Sequence, residues 1–221
     1  MHAAEAKPLL AERNVYGDPI QVSGEILMSN PQTAAVGAEV LQTFVPFRFA
    51  QKSRLLQGGV ILFGSLFLAT CSWISVPMVP VPVTMQTFGF LVLGAMCGWR
   101  LAFSASLVYL AEGALGLPVF AGGAAGAHHL LGPTGGYLVS FPLAAALVGF
   151  LAEKGWTVGL LRSVGVMLLG HGVILTLGTA YLGTKIGMDH ALAVGFAPFV
   201  LGSILKSALA SSIIEVVRRH R

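Results

Sequence analysis

After residue 54 the chain is a succession of hydrophobic runs, at roughly 55–75, 84–99, 101–117, 134–152, 158–183 and 190–217. A bilayer's hydrocarbon core is about 30 Å thick and takes about 20 apolar residues per helix. Lipid offers no partner to a bare peptide group, so a spanning segment must satisfy its backbone internally. These runs predict an all-α membrane protein with six transmembrane helices. Composition agrees: 10% of residues are charged, against about 25% in soluble domains, and the mean hydropathy is +0.81. The second and third runs are short, so loops folded into the protein are expected to complete their ends.

Residues 1–54 differ. They carry Glu5, Lys7, Glu12, Arg13, Asp18, Glu25 and Glu39 without a long apolar core, which excludes a signal peptide. Val36, Val40, Leu41, Phe44 and Val45 recur at helical spacing. Two domains follow: a cytoplasmic extension over 1–54, disordered or lying on the membrane surface, and a six-helix domain over 55–221.

Basic residues set the orientation. Arg48, Lys52 and Arg54 precede the first run, and Arg100 separates the second and third. Lys154 and Arg162 lie between the fourth and fifth, while Arg218, Arg219 and Arg221 end the chain. The other three connections hold only Lys185. With six spans the clusters fall on one side, and the positive-inside rule puts both termini in the cytoplasm. The net charge of +4 is thus a topology signal, and no basic stripe suggests nucleic acid.

Two structured, nearly uncharged loops then meet on the outer face. VPMVPVPVTMQTFG, residues 76–89, carries Pro77, Pro80 and Pro82; LPVFAGGAAGAHHLLGP, residues 117–133, is rich in glycine. Proline fixes φ and limits the entropy lost when a ligand orders a loop. Glycine lets backbone approach a ligand closely. Together they predict the roof of a cavity between the helices.

No catalytic signature is present. GTAYLGTK, residues 178–185, imitates a phosphate-binding loop only faintly, inside a hydrophobic run. The adjacent His128 and His129 are expected to diverge, which argues against a metal site, and His171 reads as a hydrogen-bonded packing residue. Cys71 and Cys97 read as small hydrophobes. Lys206, well inside the last run, is the outstanding ionisable group: a charge there costs about 2.5–3.5 kcal/mol on insertion scales. It either snorkels to the outer boundary or meets an anionic ligand. Glu112 is either its counter-charge or a boundary residue. Gly64, Ser65 and Ala69 place small side chains on one face of the first helix, which permits close helix approach.

These residues resemble the BioY family, the biotin-specific substrate-binding (S) components of energy-coupling factor (ECF) transporters. VPVTMQT at 81–87, GLPVFAGG at 116–123 and LGPTGGYLVSFPLAA at 131–145 carry the resemblance, which extends over about 55–217. It implies six helices, a pocket on the outer side, biotin as transported ligand with no cofactor, metal or enzymatic activity, and a multi-pass place in the bacterial cytoplasmic (inner) membrane. The implied partners are a transmembrane coupling protein and two ABC-type ATPases, with Gly64, Ser65 and Ala69 as docking residues.

For the ligand, Phe88, Phe120 and Tyr137 are expected to wall the fused rings. Thr84, Gln86 and Ser203 are expected to meet the ureido group, and Lys206 to meet either end. The chain departs from the family pattern where Ser203 stands for an aspartate three residues before the lysine, and where Gly122 stands for an asparagine of some relatives. Other readings from the residues are an intramembrane lipid-modifying enzyme, an S component for another small vitamin-like carboxylate, and a passive pore, for which no continuous polar stripe is found.

Overall fold

The computed structural model describes Phe49 and residues 52–220. The expectation of a surface helix around Val36–Val45, and the extension before Phe49 generally, lie outside the described residues. Within them, six long helices dominate: α1 (Arg54–Trp73), α2 (Gln86–Cys97), α3 (Trp99–Ala114), α4 (Gly135–Glu153), α5 (Leu160–Ile186) and α6 (Ala197–Arg219). Each falls on one of the six hydrophobic runs, and the start of the last run is taken up by the turns before α6.

Four helical stretches are long and apolar enough to cross a membrane: Arg54–Trp73, Gly135–Glu153, Leu160–Ile186 and Met188–Arg219. The last joins α6 to a preceding turn, Met188–Ala191, through a π-helical turn, Leu192–Phe196. α2, with 12 residues, reaches only ~18 Å at 1.5 Å per residue. Its shortness fits its place: every residue of α2 except Thr87 and Met96 is buried. It packs against α4 and α3 in the middle of the bundle.

The local chemistry explains the ends. Ser53 Oγ accepts from the Leu56 N–H at 3.4 Å and caps α1. Gly98, at φ 83°, closes α2 and opens α3 in one residue, a left-handed conformation that glycine adopts without a Cβ penalty. Glu153 Oε1, from the end of α4, accepts from the Trp99 N–H at 3.1 Å, so a carboxylate meets the positive N-terminus of α3. At the same end of the bundle, Arg218 Nη1 donates to the Thr157 carbonyl at 2.7 Å, tying α6 to the α4–α5 turn.

Close backbone contact holds the centre. A Cβ on Gly94 would overlap the Ala145 carbonyl and lie 3.2 Å from Gly149 N, while one on Gly149 would lie 2.6 Å from Trp99 N. α2, α4 and the α2–α3 corner therefore approach as only small residues permit. Phe90 fills the space beside them, stacked on Phe141 at 4.5 Å and edge-on to Tyr109 at 5.5 Å.

The proline-rich segment forms a small antiparallel hairpin. β1 (Ser75–Val76) pairs with β2 (Val83–Thr84), Ser75 opposite Thr84 and Val76 opposite Val83. Pro77, Pro80 and Pro82 lie in the connection, where no ladder hydrogen bond is needed from them. The glycine-rich loop folds into a tight turn, Ala121–Gly123, and a single helical turn, His128–Leu131.

Gly94→Leu tests the central contact. Overpacking costs about 1–3 kcal/mol even where neighbours can yield, and the Ala145 carbonyl belongs to a helix backbone. The variant is expected to unfold at a clearly lower temperature in detergent than the parent, measured by thermal denaturation; an unchanged midpoint would show that α2 and α4 separate easily.

Candidate functional site

A cavity of about 260 Å³ lies between the hairpin, the glycine-rich loop and helices α4, α5 and α6. Pro80, Val81 and Pro82 come from the hairpin connection, Phe120, Ala124 and His129 from the loop, Tyr137 and Phe141 from α4, Ile174 and Leu175 from α5, and Phe199, Ser203 and Lys206 from α6. Thr84, Gln86 and Thr87, at the β2–α2 junction, complete the wall. Small-molecule sites commonly combine such an apolar lining with a few fixed polar groups.

The α2 N-terminus is built by hydrogen bonds. Thr84 Oγ1 donates to Gln86 Oε1 at 2.9 Å and accepts from the Gln86 N–H at 3.2 Å. Gln86 Nε2 donates to the Tyr109 hydroxyl at 2.6 Å, and that hydroxyl donates to the Val119 carbonyl at 2.8 Å. Ser72 Oγ, from α1, also donates to the Val119 carbonyl, at 2.6 Å. One chain of contacts thus runs from the hairpin through α2 and α3 to the glycine-rich loop. It fixes the Gln86 amide with one N–H to spare.

Lys206 Nζ donates to the Thr84 carbonyl at 2.6 Å and to Thr87 Oγ1 at 3.4 Å. An ammonium has three donors, so one remains for the cavity. Lys206 is the sole formally charged residue among the described residues of the wall. Ser203, one turn earlier and 7% exposed, has no hydrogen-bond partner for its hydroxyl among the described residues. His129 is held below its ordinary value of 6.5, first by burial and then by the neighbouring His128, so it faces the cavity as a neutral ring at pH 7.

Of the side chains expected at a ligand, Thr84, Gln86, Phe120, Tyr137, Ser203 and Lys206 line one cavity. Phe88 is not on that wall: it is buried in the core cluster. Gly122 is exposed at φ 67°, with nothing within 4 Å of where a Cβ would stand. Tyr137 offers its ring, since its hydroxyl donates to the Gly195 carbonyl at 2.8 Å in the π-helical turn and contacts Thr179 Oγ1 at 3.1 Å. Thr87, His129, Phe141 and Phe199 were not picked out from the sequence. Thr87 sits inside the VPVTMQT motif, and Phe199 lies seven residues before Lys206, on the same helical face.

Gly64, Ser65 and Ala69, expected at a docking face, are buried against the chain's own helices. Ser65 is 2% and Ala69 8% exposed. A Cβ on Gly64 would stand 3.0 Å from Ala105 Cβ and 3.3 Å from Leu93, residues of α3 and α2. Ser65 Oγ donates to Glu112 Oε1 of α3 at 3.1 Å. The small residues let α1 approach its own bundle, and α1 presents Leu62, Phe63 and Leu66 outward instead. Glu112 is thereby a partner of α1; the ion pairs of the described residues, Arg218–Glu215 and Arg219–Glu215, do not join it to Lys206.

Helices of spanning length around a small, mostly apolar cavity define an integral membrane protein with a candidate ligand site at one end of its bundle. Residues 48–221 match the BioY family model, and the chain belongs to the BioY family. It is similar to the "Probable biotin transporter BioY" of Pyrococcus horikoshii, with 40% identity over 68% of this chain and 91% of that protein. The "Biotin transporter BioY" of Thermotoga maritima is 37% identical, over 72% of this chain and 92% of its own length. A crystal structure described as the S-component for biotin from an ECF-type ABC transporter shares the fold, with a TM-score of 0.66 and 24% identity over 75% of this chain and 92% of that one.

The inward face of α1 generates a test. Ser65→Trp would force an indole between α1 and α3, so folded yield, thermal stability and ligand binding should fall together. Normal stability and binding in that variant would show that the face is free, and would restore it as a docking surface.

Proposed function

We propose that this chain captures biotin at the cavity beneath the hairpin and serves as the substrate-binding component of a biotin uptake system. The observation that carries the reading is the cavity's charge: among its described lining residues, one ammonium, no carboxylate, and an otherwise uncharged wall of apolar and aromatic side chains with a few polar groups, in a BioY-family chain. Biotin is a compact bicycle with a ureido group and a carboxylate, and both polar ends accept hydrogen bonds. Lys206 takes one of them, Ser203 and the spare Gln86 N–H serve the ureido group, and Phe120, Tyr137, Phe141 and Phe199 enclose apolar parts. Thr84 contributes by fixing Gln86 and Lys206. The chain is a transporter component and not an enzyme; its action is capture and passage, with energy supplied from outside.

Two measurements test this. Protein purified without added ligand should carry biotin in stoichiometric amount; a different small carboxylate in its place would transfer the site to another vitamin-like ligand, and a modified lipid product would replace transport by catalysis. Lys206→Met keeps the stem but removes the charge and donors. Since a hydrogen bond to a charged group contributes about 1.5–3 kcal/mol, biotin should bind one to two decades more weakly. Unchanged affinity in the folded variant would remove Lys206 from the ligand and return it to snorkelling.

We place the protein in the cytoplasmic membrane with six crossing segments, the short α2 and α3 completed at their ends by the adjoining loops, both termini inside and the cavity opening outward. The side bearing Arg100, Lys154, Arg162 and Arg218 supports that orientation. Its partners in this reading are a transmembrane coupling protein and two ABC-type ATPases. A cysteine at Ala124, with Cys71 and Cys97 replaced, should react with an impermeant thiol reagent in intact cells. Reaction only after permeabilisation would invert the topology.

A further inference from the structure

Lys206 is the first member of a longer hydrogen-bonded series. Its ammonium reaches the Thr87 hydroxyl at 3.4 Å, and Thr87 Oγ1 lies 3.2 Å from His171 Nε2. The other ring nitrogen, Nδ1, lies 3.0 Å from the Met167 carbonyl and 3.0 Å from Ser207 Oγ. His171 is 2% exposed and takes no part in the cavity wall. A polar ring has been placed in an apolar core, behind the site, with both nitrogens engaged.

The chemistry of these groups gives the series a direction. A carbonyl oxygen only accepts, so Nδ1 carries the ring proton and donates to Met167, with Ser207 Oγ sharing it. In the neutral ring Nε2 is then an acceptor, and the Thr87 hydroxyl must donate to it. Thr87 thereby turns its remaining lone pairs toward Lys206, whose ammonium only donates. The donors point one way, from Lys206 through Thr87 and His171 to the Met167 carbonyl. Were His171 to donate through Nε2, the Thr87 oxygen would face two donors and its own proton would have no acceptor in the series. Hydrogen bonds aligned head to tail in a low-dielectric interior reinforce one another.

We propose that Thr87 and His171 are positioning residues that orient the Lys206 ammonium for the ligand. The Thr84 carbonyl and the Thr87 hydroxyl take two of its donors, His171 keeps the Thr87 oxygen facing it, and the third donor is left aimed at the cavity. Lysine has many rotamers, and ordering such a side chain in advance lowers what binding must otherwise supply. His171 of α5 therefore tunes the site from behind, through the first turn of α2, without itself lining the cavity. This inference rests on the reading of Lys206 as a ligand contact.

The test is a biotin titration of the purified full-length chain. Thr87→Val preserves shape and removes the hydroxyl, and is expected to weaken binding about fivefold, the scale of one neutral hydrogen bond. Thr87→Ser, which keeps the hydroxyl, should stay within about twofold of the parent. His171→Phe, with a comparable ring and no acceptor, should weaken binding like Thr87→Val. The deciding measurement is the pair: in Lys206→Met protein, Thr87→Val should bring no further loss, because it acts only through the ammonium. Losses that add in the double variant, or full affinity in Thr87→Val, would overturn the positioning role. Full affinity in Lys206→Met alone would instead overturn the underlying ligand contact, so the two failures are distinguishable.

Discussion

The hydrogen bond from the Lys206 ammonium to the Thr84 carbonyl, at 2.6 Å, is the contact around which the site is organised. A charge within an apolar bundle is costly unless paired and hydrogen-bonded. Here a backbone carbonyl at the end of β2 does much of the pairing. The bond joins α6 to the corner where the hairpin turns into α2, so the roof of the cavity and its cationic wall are one construction. The same corner carries Gln86, which ties α2 to Tyr109 and, through Val119, to the glycine-rich loop. Three distant stretches of chain are therefore held in register by polar groups whose alternative partner, water, is scarce in such an interior.

The helices were legible in the sequence because length and hydropathy are local quantities. Each apolar run had to become a helix, and the breaks at Gly98, Gly159 and Gly187 coincide with glycines at positive φ between or beside the long helices. Most candidate cavity residues were legible for a related reason: short motifs kept Thr84, Gln86, Phe120 and Tyr137 on segments bound for the same end of the bundle. Phe88 shows where this stops. It neighbours Thr87 in sequence, but a helix turns about 100° per residue, and one step along α2 takes the side chain from the cavity wall into the core. Hydropathy cannot tell these positions apart.

Gly64, Ser65 and Ala69, expected at a docking face, pack against α2 and α3 for a different physical reason. Small residues in a membrane helix report that another helix comes close, and say nothing about which chain that helix belongs to. In this fold α2 and α3 are short and central, so α1 must approach them closely to leave no void, and its small face is used internally. Bulky apolar side chains such as Phe63 and Leu66 remain outward, where lipid or another membrane protein can cover them. Helix-approach motifs become informative about partners only after the intramolecular neighbours are known.

The ledger of hydrogen-bond donors narrows how a ligand can sit. The Thr84 hydroxyl donates to Gln86, the Tyr137 hydroxyl to Gly195, and the Tyr109 hydroxyl to Val119, so none of these protons is free. What remains among the described side chains of the wall is one donor on Lys206, one on Gln86, the unpaired hydroxyl of Ser203 and the ring N–H of His129. Lys206 and Ser203 are three residues apart on α6, hence on one helical face. An aspartate at position 203, as in the pattern this chain resembles, would stand beside the ammonium and cancel its charge. With serine there, the wall keeps a net positive charge in a low-dielectric setting, where a unit charge acts far more strongly than in water. The anionic end of a ligand is then the group that gains most from Lys206, while Ser203 and Gln86 remain for acceptors on the uncharged end. In the proposed reading of Lys206 as a ligand contact, serine at position 203 therefore favours the carboxylate of biotin, rather than its ureido oxygen, as its partner.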